Sequence, residues 1–189
     1  YPNDFNKQNV YRLLFRDWAK KDPADAAAAA LKLPGFNDQN LLAVGNSWSA
    51  TDPQAAIKWA QGLLSSDANT AGSVINSALG TMAKSENFDK QAALNAISSL
   101  TSLSDRNAAM VSVATGMSYN GSPAAGMDWL NQNSAGAAYD EEVNLIFSNF
   151  DGQKPSSFLP ALDKITDAGV RAAQEHAACA VRHLFELAA

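Results

Sequence analysis

An all-α fold is predicted, an α-solenoid (α-α superhelix) of about five antiparallel helix pairs closed by a C-terminal helix. Three observations predict it. Trp18-Ala-Lys-Lys-Asp22-Pro23 recurs thirty residues later as Trp48-Ser-Ala-Thr-Asp52-Pro53. Apolar residues after each junction fall at helical spacing. No run alternates apolar and polar residues as a half-buried strand does.

Each Asp-Pro does two jobs. The Asp carboxylate accepts from the free backbone N–H groups that open a helix. Pro fits the first helical position, where its missing N–H costs nothing. The residue before Pro also resists the α conformation, so the preceding helix stops there. Weaker copies continue the plan at Phe88-Asp89-Lys90, Gly121-Ser122-Pro123 and Lys154-Pro155. The junctions lie near 23, 53, 90, 123 and 155, at spacings of 30, 37, 33 and 32 residues. That is the length of one helix-turn-helix unit. Four and seven residues past them stand Ala27 and Ala30, Ile57 and Ala60, Leu94 and Ile97, Met127 and Leu130, and Leu159 and Leu162.

The expected helices are 4–21, 23–33, 38–51, 53–65, 68–85, 89–101, 105–119, 123–133, 140–150, 156–166 and 168–187. Stops and caps at Pro34-Gly35, Asp67, Ser104-Asp105, Asn120-Gly121, Asp140 and Asp167 mark several ends. With no long linker, residues 1–189 are expected to form a single helical-repeat domain. Ala26 to Ala30 is the strongest intrinsic helix former. The small residues suit close helix approach, with Trp18, Trp48, Trp59 and Trp129 expected to fill gaps between layers.

Trp-x3-Asp-Pro-x2-Ala, continuing in the second copy as Ile57-Lys58-Trp59-Ala60, resembles degenerate helical repeats of large bacterial proteins. More broadly, most of residues 5–166 resembles tetratricopeptide-like α-solenoids. The resemblance implies a concave groove that holds a peptide or partner protein. It also implies a bacterial source, with exported, periplasmic and cytoplasmic placement all open.

Composition narrows the partners. Of 189 residues, 47% are hydrophobic but only 17% charged, and the net charge is −5. Without a basic excess, nucleic acid and acidic lipid surfaces are not expected partners. The longest apolar stretch, Ala26 to Leu31, is too short to span a bilayer. A first residue of Tyr1 in place of Met fits a trimmed chain or a mature exported one. The single cysteine, Cys179, leaves no internal disulfide.

The candidate sites are few. His176, Cys179 and His183 are the only histidines and cysteine, and with Glu186 they share one face of the last helix. Imidazole and thiolate ligate zinc or copper. His176 and His183 stand about 10 Å apart along a helix axis, so one ion would strain to hold all three. An ordinary polar face on a capping helix is the preferred reading. A Cys-His nucleophile would need an oxyanion hole, and no glycine-rich turn supplies one.

There is no Gly-x-Ser-x-Gly elbow and no phosphate loop. No catalytic residue, enzyme activity or cofactor is expected. Asp140-Glu141-Glu142 reads as favourable charge at a helix start. Asn40, Asn46, Asn76, Asn107 and Asn144 fall in the first helices of successive pairs. Their amides can bond the backbone of an extended peptide, or replace charges on a solvated face.

The expected function is a non-enzymatic module that binds a protein or peptide, with Asn46, Asn76, Asn107 and Asn144 as ligand-binding candidates and a homodimer as a further option. The alternatives are a metal-binding or thiol-dependent protein using His176, Cys179 and His183, and a structural fragment of a larger repeat protein.

Overall fold

The computed structural model describes residues 4–33, 37–119, 123–149, 159–172 and 174–175. Among them every regular element is helical. The order is α1 (Asp4–Ala19), α2 (Pro23–Ala30), α3 (Asn37–Thr51), α4 (Pro53–Leu63), α5 (Ala68–Met82), α6 (Lys90–Ser98), α7 (Leu103–Tyr119), α8 (Pro123–Asn133), α9 (Gly136–Asn149) and α10 (Leu159–Leu162). Residues 168–172 are helical again. The all-α fold follows the sequence pattern, and most helices start or stop within three residues of the expected positions.

The Asp-Pro junctions form as their chemistry dictates. Asp22 and Asp52 adopt nearly the same backbone angles, φ −143° and ψ 82° at one, φ −143° and ψ 84° at the other. Asp22 Oδ1 accepts from the Asp25 amide at 3.1 Å, and Asp52 Oδ1 from the Ala55 amide at 3.0 Å. In both, the Asp N–H donates back to the Trp carbonyl, Trp18 at 3.0 Å and Trp48 at 2.8 Å. Asp89, which lacks the Pro, caps α6 through the Ala92 amide at 2.9 Å. Asp67 caps α5 through the Thr70 amide at 3.0 Å. The junction at 155 lies outside the described residues.

Two starts differ from expectation. α7 begins at Leu103 because Ser102 is the cap, its Oγ accepting from the Asp105 amide at 3.3 Å. α9 begins at Gly136, whose φ of +61° sits in the left-handed region that favours glycine. Asp140, Glu141 and Glu142 therefore lie in the second turn of α9 and do not sit at its N-terminus, so the dipole reading of that triad is wrong.

The chain divides into two compact units, one of residues up to Met82 with Asp89–Arg106, the other of Ala83–Phe88 with the residues from Asn107 onward. In the first, α1 packs on α3 and α3 on α5, while α2 lies against α1 and α3, and α4 against α3 and α5. Phe15, Ala19, Ala26, Ala27, Ala30, Leu41 and Val44 form one buried cluster, with Trp48 and Trp59 packed on it. The alanines leave room for backbones to approach. At Gly45 the approach is closest, since a Cβ there would overlap the Val74 methyls. Ser49 Oγ, fully buried, donates to the Gly45 carbonyl at 2.7 Å, so its hydroxyl costs no unpaired group.

Within the second unit, Met127, Trp129 and Leu130 of α8 are buried, as are Val143 and Ile146 of α9 and Val113 and Ala114 of α7. Gly126 faces the Ala114 carbonyl with no space for a side chain. Phe88 meets Trp129 edge to face at 6.2 Å. Tyr139 ties three segments: its hydroxyl donates to Asn131 Oδ1 at 2.8 Å and accepts from the Thr166 amide at 3.3 Å. Asn131 Nδ2 in turn donates to the Lys164 carbonyl at 2.8 Å.

The expected core positions are largely buried: Ala27, Ala30, Ile57, Ala60, Ile97, Met127, Leu130 and Leu162, with Leu94 half-buried. Three tryptophans pack as expected, Trp129 in the core and Trp48 against Trp59 at 5.7 Å. Trp18 does not: it stacks on Phe15 at 5.9 Å but keeps much of its ring in solvent. Trp48 has α1 and α2 beside its helix, whereas no helix among the described residues covers that side of α1.

Candidate functional site

A groove of about 420 Å³ runs between α1 and α3. One wall carries Arg12, Arg16 and Lys20, spaced four residues apart so that all three project from one side of α1. From α3 come the polar Gln39, Asn46 and Ser47, with Leu42, Ala43 and Ala50 adding apolar surface. Ser47 Oγ donates to the Arg16 carbonyl at 2.9 Å and holds the walls together. Arg12 is half-buried and lines the same groove.

Charge balance in the groove is set by Asp17, which lies beside two of the cations. Its Oδ1 accepts from Lys20 Nζ at 2.8 Å and from Arg16 Nε at 3.1 Å. Lys20 and then Arg16 hold the Asp17 carboxyl down to about 2, so it stays ionised at neutral pH. Arg16 and Lys20 are thus partly offset. Arg12 has no carboxylate within ion-pair distance among the described residues. The groove holds a net positive charge in a chain of net charge −5.

The five asparagines occupy different environments. Asn46 is exposed and lines the groove. Asn40 is buried, and its Nδ2 has no hydrogen-bond partner among the described residues. Asn76 is half-buried, its Oδ1 likewise without one. Asn107 is buried and donates to Glu141 Oε2 at 2.6 Å. Asn144 is exposed and accepts from Gln174 Nε2. Of these, Asn46 is the one placed beside an open groove, and Asn107 and Asn144 are already engaged.

Glu142 is 2% exposed, and its Oε2 has no partner among the described residues. Burial raises its carboxyl above the usual range, against a hydrogen bond with Ser134 that lowers it, and neighbouring Glu141 raises it further. It is a packed side chain of α9.

His176, Cys179 and His183 lie outside the described residues, as does Glu186. Among the described residues no group of three His, Cys, Asp or Glu side chains is arranged to hold a metal ion. No described helix is long and apolar enough to cross a membrane.

Of the groove residues, sequence reasoning singled out Asn46 and passed over the cations beside it. The available signal was the spacing of Arg12, Arg16 and Lys20, which on an isolated helix looks like any solvated face. Comparison with protein-family models, with curated proteins and with solved structures finds no match for this chain.

Proposed function

We propose that this chain is a non-enzymatic helical-repeat module, tetratricopeptide-like in plan, whose α1–α3 groove holds an extended, carboxylate-bearing segment of a partner protein. Two findings support the repeat plan. Asp22 and Asp52 build the same junction thirty residues apart. In the first unit, first helices pack on first helices while second helices wedge between them. Such an array buries its core between neighbours and leaves a long surface for a partner.

The observation that carries the ligand class is the wall of Arg12, Arg16 and Lys20 facing Asn46 and Gln39. Guanidinium groups bind carboxylates through charge-assisted, often bidentate hydrogen bonds. An amide opposite offers both a donor and an acceptor to peptide backbone.

The test is a titration of isotope-labelled protein with a Glu-rich decapeptide, followed by NMR, beside a Lys-rich control. Shifts are expected at Gln39, Asn46 and Ser47 with the acidic peptide alone. They should weaken as salt rises and disappear in Arg12→Glu. Equal response to both peptides, or shifts that survive Arg12→Glu, would overturn the assignment.

A further inference from the structure

The outer side of α1 carries an apolar stripe whose counterparts on α3 are buried. The thirty-residue register that superposes Trp18 on Trp48 and Asp22 on Asp52 also pairs Val10 with Asn40, Tyr11 with Leu41, Leu13 with Ala43 and Leu14 with Val44. On α3 these four are buried, Leu41 at 2% and Val44 at 0%. On α1 they are exposed, Val10 at 64% and Leu14 at 56%. Trp18, exposed where Trp48 is half-buried, extends the same side.

On α3 these positions are covered by the helix pair α1 and α2. Leu41 and Val44 share a buried cluster with Phe15 and Ala19 of α1 and with Ala26, Ala27 and Ala30 of α2. Their occupant is therefore a helix pair with one aromatic on its first helix and small residues along its second. Leaving the equivalent α1 side chains in water forgoes the apolar burial that holds the first two pairs together. Contiguous exposed apolar surface of this kind marks an interaction face.

We infer that the outer face of α1 docks a further helix pair of this same repeat type, seated on Val10, Leu13 and Leu14 as α1 and α2 are seated on Leu41 and Val44. The inference rests on the repeat reading above and is independent of what fills the α1–α3 groove.

The experiment supplies such a pair from the chain itself. A second copy of residues 4–36, joined directly ahead of Lys7 of the full chain, keeps the thirty-residue register. The added copy should fold, gaining helical ellipticity for the 16 residues of α1 and 8 of α2. The extended chain should stay monomeric in sedimentation and melt at a higher temperature than the parent. Leu14→Asp in the original copy should cancel the gain in Tm, while Leu14→Asp in the added copy, now at the open end, should leave it intact. Three results would overturn the inference. If the added copy gains helix but Leu14→Asp acts alike in both copies, the repeat folds but does not dock here. If the parent self-associates and Leu14→Asp abolishes it, the occupant is a second copy. If the added copy gains no helix, the repeat reading fails along with the docking face.

Discussion

Asn107 of α7 donates from Nδ2 to Glu141 Oε2 of α9 at 2.6 Å, joining two helices through residues thirty-four apart in sequence. Asn107 is buried while Glu141 is exposed, so the partner that suffers most from loss of this bond is the amide. Glu141→Ala strands a buried donor and is expected to cost about 1–3 kcal/mol. Asn107→Ala removes donor and acceptor together and should cost less than Asn107→Asp, which sets a second carboxylate against Glu141. Urea unfolding of the three variants checks the order, and the Asn107→Ala/Glu141→Ala double variant should lose less than the two singles added.

Glu142 makes the second unit sensitive to pH. Burial raises its carboxyl in the folded state above the reference value of 4.5. The folded state therefore holds the proton more tightly than the unfolded chain. Neutral Glu142 supports folding fully below about pH 4.5, and that support is lost as pH rises through its raised value. Glu142→Gln removes the ionisation and should be more stable than the parent at pH 7, with the difference closing as pH falls toward 4.5. Chemical unfolding at stepped pH measures it, and a constant difference across the range would contradict the assignment.

Removing the junction carboxylates tests the caps. Asp22→Ala and Asp52→Ala should each cost about 0.5–2 kcal/mol, because each leaves an amide at the start of α2 or α4 unbonded. Asp→Asn at either position keeps an acceptor and should cost far less. Thermal unfolding followed by circular dichroism distinguishes the pairs.

Two glycines should respond in opposite directions. Gly45→Ala drives a methyl into Val74 and is expected to cost about 1–3 kcal/mol. Val74→Ala in the same chain should recover part of that loss. Gly62, on α4, has nothing within 4 Å of a built Cβ. Gly62→Ala should stabilise by about 0.4–1 kcal/mol, by restricting the unfolded chain. Equilibrium unfolding in urea gives both values.

What sequence reading captured was local. Asp22 and Asp52 cap their helices through atoms three residues away, so neighbouring residues alone specify the junction. Ser102 was missed for the same reason, since Ser104 and Asp105 offer equally good cap chemistry nearby and sequence alone does not rank them. The fate of Asp140, Glu141 and Glu142 depended on where α9 begins. That is fixed by Gly136, four residues earlier, and by packing that takes Glu142 inside. The groove was half legible: Asn46 stood out as an amide on a helix, whereas Arg12 becomes a groove residue only once α3 lies beside it. The exposure of Trp18 was hidden by its repeat. Sequence equivalence with Trp48 predicts equal burial, but burial depends on which neighbours are present.

The Asp22 and Asp52 joints also bear on how the chain meets proteases. A cleaving enzyme needs several residues of extended backbone in its cleft, and such stretches concentrate at loop tips. Here a helix ends at Thr51 and the next begins at Pro53, with Asp52 alone between them. Lys20 and Lys21, at the sister joint, present tryptic bonds within a turn whose amides already bond the Trp18 carbonyl. Cutting there requires the joint to open first, so digestion at these lysines reports how often neighbouring helices part.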